Sequence, residues 1–226
     1  MPTRLLLLSD THVPVRARAL PDQVWRAVDD ADVVVHAGDW VSVDLLDALE
    51  ARAARLVGVA GNNDGPDLHA RLPEVARATV EGLRLAVVHE TGGKDGRERR
   101  ADAAFPDVDV LVFGHSHIPW DTTSPGGLRL LNPGSPTDRR RQPVGTLLTA
   151  VVDDGALRDV ELVPVGGGGL TPRRRAPGSP RGSSRARARA RGGARGASRT
   201  RRRARPRRAS RPARGGGRRP GRAASR

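Results

Sequence analysis

RLLLLSDTH, residues 4–12, decides how this chain is read: four consecutive leucines lead into an aspartate and a histidine two positions apart. An apolar run without alternation is what a strand covered on both faces looks like. The same form recurs at 33–36 (VVVH), 55–59 (RLVGV), 84–88 (RLAVV) and 108–113 (VDVLVF), each bounded by Gly, Asp or Asn. Between the first of these lie two helical patterns. LPDQVWRAVDD (20–30) carries Pro21 near its start, and SVDLLDALEARAA (42–54) offers Ser42 as N-cap ahead of apolar residues at helical spacing. Strand alternating with helix predicts a layered α/β domain.

Past residue 120 the pattern changes. GLRLLNPGSP (127–136), GTLLTAVVDDG (145–155) and ALRDVELVPV (156–165) read as strands joined by Gly, Pro and Asp turns, without long helices between them. A second, more antiparallel half of sheet is expected there. GGGG at 166–169 then predicts a flexible hinge closing a domain of residues 1–165.

Charge divides the chain in the same place. The formal net charge of the 226 residues is +15, yet 22 of the 40 Lys and Arg fall within 171–226, which holds no acid. The remainder therefore sets 18 basic residues against all 25 acids, a net charge of −7. A mildly acidic domain is followed by a strongly basic segment, and the two need separate readings. Residues 166–226 are almost entirely Arg, Ala, Gly, Ser and Pro, a composition that buries too little apolar surface to fold, so a disordered Arg-rich tail is expected. It is either an arm that neutralises nucleic-acid phosphates without sequence preference, or the product of a shifted reading frame in GC-rich DNA. It contains no Phe, Trp or Tyr on which single-stranded bases would stack.

The absence of Cys excludes disulfides and thiolate metal sites, leaving His, Asp, Glu, Asn and carbonyls to hold any metal. The opening leucine run is short of the roughly 7–15 apolar residues of a signal-peptide core, and nothing approaches the roughly 20 of a membrane span. The expectation is a soluble, cytoplasmic protein with no membrane partner. Its oligomeric state is not legible.

The ends of the apolar runs carry the chemistry. LLLLSDTH ends in Asp10 and His12, VVVHAGD in Asp39, LVGVAGNND in Asn62, Asn63 and Asp64, LAVVHE in His89, and VLVFGHSH in His115 and His117. Each alone has a plain structural explanation: a histidine after a strand is commonly a hydrogen-bonded surface residue, and GNND is a good turn. Together, five successive strands deliver O and N donors to the carboxyl edge, where open α/β sheets bind ligands. Residues i and i+2 of an extended segment point the same way, roughly 6–7 Å apart. Asp10 and His12 can thus reach one metal, while His115 and His117 can each hold one of two metals roughly 3.5–4 Å apart. Gly38, Gly61 and Gly114 precede ligands where bare backbone permits close approach.

The ordered set D-x-H, G-D, G-N-x-D, H, G-H-x-H resembles the calcineurin-like metallophosphoesterases, and GNND with NPGSP (132–136) is similar to the small bacterial phosphodiesterase branch. The resemblance covers about residues 4–163. It implies a four-layer α/β/β/α sandwich of two mixed sheets flanked by helices, with a dinuclear site. One ion would be held by Asp10, His12, Asp39 and His117, the other by Asp39, Asn62, His89 and His115. It further implies hydrolysis of a small phosphate ester, a phosphodiester foremost, by a hydroxide bridging two divalent ions. Manganese is expected, with Ni, Mg, Fe or Zn as alternatives.

Two departures from the family pattern stand out. Many relatives have His after the motif Asn, positioned to protonate the leaving oxygen; Asn63 stands there, the catalytic candidate that only donates a hydrogen bond. In HETGG (89–93) the second His common in relatives is missing. Arg139 and Arg140, in DRRRQP after the NPGSP turn, are candidates to clamp a substrate phosphate or are a solvated turn. His36 is expected to orient Asp39 or a water, and Trp120 either walls the pocket or closes the core. The alternatives to an esterase are a non-enzymatic scaffold on the same fold, as in a retromer subunit, and a nucleic-acid-binding protein acting through residues 171–226.

Overall fold

Four leucines in a row are all buried only where both faces of their strand are covered, and β1 (Thr3–Leu8) is covered so: Leu5 to Leu8 are each at most 2% exposed. The computed structural model describes residues 1–166. On one side of β1 lie β2 (Val33–His36) and β3 (Leu56–Gly58), both parallel to it in order. On the other side β9 (Gly145–Asp153) runs antiparallel, followed at the edge by β10 (Ala156–Val165). A second five-stranded sheet has β4 (Val75–Val80), β5 (Leu83–Val88), β6 (Val110–Val112), β7 (Trp120–Thr123) and β8 (Arg129–Asn132) in the order β4-β5-β6-β8-β7.

The alternation of side chains sorts each strand between two interiors. Leu5 and Leu7 join Val33, Val35, Leu85, Val87, Val110 and Val112 between the sheets. Leu6 and Leu8 point the other way, against α1 (Asp22–Asp30) and α2 (Val43–Arg52) through Val24, Val28, Leu46 and Leu49. The outer face of the second sheet, Ala86, Leu111, Phe113 and Leu130, is covered by α4 (Arg97–Ala104) through Ala101. The result is the four-layer α/β/β/α sandwich of two mixed sheets. Ser42 caps α2, its side chain accepting from the Asp44 amide at 3.1 Å.

The strands after residue 120 do not form one antiparallel half. β9 and β10 return to the first sheet, while β8 lies parallel to β6 in the second. The reason is the edge strand β7, which runs antiparallel to β8 and outside it, so that β8 returns beside β6 in the same direction. Both β6 and β8 then end at one edge. Four elements were not expected from sequence: α3 (Pro66–Arg71), α4, β4 and β7. Among the described residues no helix is long and apolar enough to cross a membrane. The expected hinge after Gly166 and the Arg-rich tail lie outside the described residues.

β10 is the long edge of the first sheet. Its register with β9 shifts between Arg158 and Glu161, where Asp159 takes a positive φ of 49°.

Candidate metal centre

The parallel strands β1, β2, β5 and β6 all exit at one edge, and the polar residues just past those exits turn inward there. Asp10, His12, Asp39 and His117 are buried, and one ligand atom from each lies within 4.8 Å of all the others. His12 Nε2 and His117 Nε2 face each other at 3.2 Å, with Asp39 Oδ2 3.5 Å from the first and Asp10 Oδ1 3.3 Å from the second. Two imidazole nitrogens this close, ringed by buried carboxylates, are satisfied together by a cation and not by one another. The donor set fits a divalent metal of the imidazole and carboxylate type.

Asp39 links this group to a second one. Its Oδ1 lies 3.4 Å from His89 Nε2, and Asn62 Oδ1 lies 2.9 Å from both His89 Nε2 and His115 Nδ1. All seven expected ligands therefore meet in two overlapping groups that share Asp39.

Backbone geometry explains how they reach inward. Asp10, His12, Asp39, His115 and His117 all have positive φ, between 45° and 69°. Left-handed backbone at a non-glycine residue costs on the order of 1–3 kcal/mol and persists only where surrounding contacts impose it. Here they do: the Asp10 and His12 amides donate to Gly38 O and Asp39 O, each at 3.0 Å, and the His115 amide donates to Asp10 Oδ1 at 3.1 Å. Close approach requires Gly61, where a Cβ would overlap the Asp39 amide and carboxylate.

The histidine tautomers are set from behind. His89 Nδ1 lies 2.7 Å from Ala37 O, and His117 Nδ1 lies 2.6 Å from Asp138 O. A carbonyl only accepts, so in each ring Nδ1–H donates and Nε2 is the nitrogen that faces the cluster, as a proton donor to its neighbouring carboxylate when the ring is charged and as a lone pair when it is neutral. Burial pushes the Asp39 carboxyl up, but the hydrogen bond and charge of His89 and two donors from Asn63 overcome it and hold the group well below the usual carboxylate range. Burial pushes His12 below its ordinary value; Asp39 opposes this and His117 adds to it.

The candidate substrate residues divide. Asn63 spends its donors on Asp39, its amide 2.8 Å from Oδ1 and its Nδ2 2.7 Å from Oδ2. Arg140 lies at the rim with Nη1 3.5 Å from His115 O, whereas Arg139 folds back on Gln142 O at 2.7 Å. His36 does not touch the Asp39 carboxylate. Its Nε2 lies 3.0 Å from Thr11 Oγ1, its ring stacks on Trp40 at 3.6 Å, and burial pushes it down to about 3, so it is neutral. Trp120 closes the core: with Phe113 it sandwiches the guanidinium of Arg97, 4.8 Å from each ring.

Three residues singled out by their motifs act as supports, a role the sequence did not reveal. Asp64 accepts from the amides of Asp39, Gly61 and Val41 at 3.2, 2.7 and 2.7 Å, pinning the turn that carries Asp39. Ser135 donates to Asp10 O at 2.7 Å and accepts from the Asp138 amide at 2.8 Å. Asn132 Nδ2 donates to Gly114 O at 2.8 Å. The NPGSP segment thus straps the Asp10 exit to the GHSH exit. Its Asn and Ser were the available signal, since a Pro-Gly turn alone needs neither.

A family model described as the calcineurin-like phosphoesterase superfamily domain matches residues 3–155. A probable metallophosphoesterase of Methanothermobacter thermautotrophicus is 33% identical over 162 residues, 71% of this chain and 91% of that protein. The solution structure of Thermotoga maritima protein TM1076 is 35% identical with a TM-score of 0.59, covering 72% of this chain and 99% of that one. Two solved structures share the fold at lower identity. Vps29 of Chaetomium thermophilum is 20% identical with a TM-score of 0.61, over 72% and 97% of the two chains. An archaeal phosphodiesterase is 18% identical with a TM-score of 0.53, over 71% and 99%.

Proposed function

Because the chain belongs to the calcineurin-like phosphoesterase superfamily, we propose that it hydrolyses a phosphodiester with two divalent metal ions, Mn in the native state. The observation that carries this reading is the pair of donor groups sharing Asp39: Asp10, His12, Asp39 and His117 for one ion, and Asp39, Asn62, His89 and His115 for the other. Bound there, the ions would supply Lewis acidity, lowering the pKa of a water and neutralising charge on phosphoryl oxygens.

The chain's own residues do the rest. His89 and His117 present fixed Nε2 lone pairs because Ala37 O and Asp138 O hold their Nδ1 protons. Asn63 orients both oxygens of Asp39 and, lacking a titrating proton, donates none to a leaving group. The reading therefore favours esters whose leaving oxygen departs without a general acid. Arg140, at the rim beside His115, is placed to meet a phosphate oxygen. The Vps29 likeness extends to the fold alone, and the presence of all seven donors here favours an enzyme over a scaffold.

The test is metal analysis with hydrolysis of bis(p-nitrophenyl) phosphate and p-nitrophenyl phosphate in Mn2+, on wild type and Asp39→Asn. Ion binding with turnover of the diester, both lost in the variant, is expected. A wild-type protein that binds no divalent ion and cleaves neither ester ends the proposal.

A further inference from the structure

Beside the cluster opens a pocket of about 250 Å3 lined by His12 and Asn63 from the centre and by Val15, Arg16, Val41, Asp138 and Arg140 around them. Its two guanidiniums come from different turns. Arg16 follows the Asp10–His12 exit, its amide donating to His12 O at 2.8 Å, and Arg140 follows the NPGSP strap. Neither is firmly engaged: Arg16 Nε stands 3.6 Å from Asp138 Oδ2 with its side chain 64% exposed, and Arg140 Nη1 stands 3.5 Å from His115 O. Both distances exceed good hydrogen bonding.

The acid in this pocket has other work. Asp138 Oδ2 stands between Arg16 Nε at 3.6 Å and His117 Nδ1 at 3.7 Å, while its backbone carbonyl takes the His117 proton, so one carboxylate faces two guanidiniums without a close bond to either. With two guanidiniums against one carboxylate, the pocket keeps an excess of positive charge beside His12 of the metal cluster. A single phosphodiester carries one negative charge, which bound ions already meet. Two loosely held guanidiniums farther out are suited to a tetrahedral dianion approached from two directions.

We propose that this pocket binds a second phosphate on the same substrate, so that the natural ester is a phosphodiester whose esterified group bears its own phosphomonoester. Arg16 is the specificity-determining residue, with Arg140 beside it, and Val15 and Val41 cover the carbon skeleton between the two phosphates. The inference rests on the phosphoesterase reading for its kinetic form, but the pocket is also testable by binding alone.

The experiment compares the full chain, loaded with Mn2+, on the p-nitrophenyl ester of thymidine 5′-phosphate with and without a 3′-phosphate, for wild type, Arg16→Ala and Arg16→Lys. Calorimetric titration with thymidine 3′,5′-bisphosphate and thymidine 5′-monophosphate runs in parallel. Wild type should favour the 3′-phosphorylated ester by about tenfold or more in kcat/KM, mostly through KM, as for charge-assisted hydrogen bonds. Arg16→Ala should bring that ratio close to one, and Arg16→Lys should keep part of it. Equal kcat/KM for the two esters in wild type, or an unchanged ratio in Arg16→Ala, overturns the inference. If neither ester is cleaved, hydrolysis of bis(p-nitrophenyl) phosphate decides the phosphoesterase reading, and the titration decides the pocket: tighter binding of the bisphosphate that depends on Arg16 upholds it, and equal binding removes it.

Discussion

The two halves of the centre are built differently. On the Asp10 side every donor is buried, the His117 side chain is 0% exposed, and backbone carbonyls and the NPGSP strap fix the geometry. On the other side Asp39 and His89 are also buried, with Ala37 O behind His89, but the His115 side chain is 45% exposed, Asn62 is exposed, and these two contact each other at 2.9 Å. A buried, externally held donor set is rigid before its ligand arrives; an exposed, self-contacting one is ordered by it. The first half should therefore hold an ion tightly and the second exchange it.

The largest effect should come where the halves meet. Asp39→Asn removes a ligand from both, and kcat should fall on the order of 10^3-fold with both ions lost, read by steady-state kinetics and metal analysis. The halves should then separate. His117→Ala should lose the tighter ion and, by leaving the Asp138 carbonyl without its donor, destabilise the fold by about 1–3 kcal/mol in denaturant titration. His115→Ala should lose the weaker ion with stability unchanged within about 0.5 kcal/mol. Equal losses in the two variants would abolish the distinction.

A smaller effect probes the strap. Ser135→Ala leaves all seven donors in place but frees Asp10 O and the Asp138 amide, and ion affinity in the buried half should weaken about 10–100-fold by calorimetry. The last effect is one of pH. His36 is held neutral, with its folded value pushed down to about 3. Between the ordinary value near 6.5 and that limit the unfolded chain takes up a proton that the folded chain refuses, so acidification costs stability. The slope from this group is at most about 1.4 kcal/mol per pH unit. His36→Asn should flatten the stability curve below pH 6.5 relative to wild type and leave it alone above; parallel curves would contradict the burial argument.

The contrast also explains what was legible in the sequence. Runs such as LLLL and VVV are apolar on both faces, so β1, β2, β5 and β6 declare themselves, and the donors after them are found by position. β4, with exposed and partly buried residues alternating in VARATV, and α4, with RERRADAA, carry too little apolar signal to stand out. In the site, ligands were legible because their residue types are unusual at strand ends. The supporting roles of Asp64, Ser135 and Asn132 were not, because side chains that hold backbone at a turn use the same residue types as any turn. His36 was legible only in part: it does not meet the Asp39 carboxylate, but its ring contacts Thr11, whose hydroxyl reaches Asp39 O at 3.4 Å, and stacks on Trp40.

An exposed edge of ten residues, such as β10 presents, is an invitation to a neighbouring molecule: a row of unmet amides and carbonyls onto which a foreign strand could add. The chain defaces it. The register shift at Arg158–Glu161 with Asp159 in left-handed backbone breaks the row at its middle, and Pro164 removes a donor near its end. Charged Arg158, Asp159 and Glu161 penalise close stacking. Sheet-to-sheet aggregation is thus discouraged on the longest edge strand among the described residues.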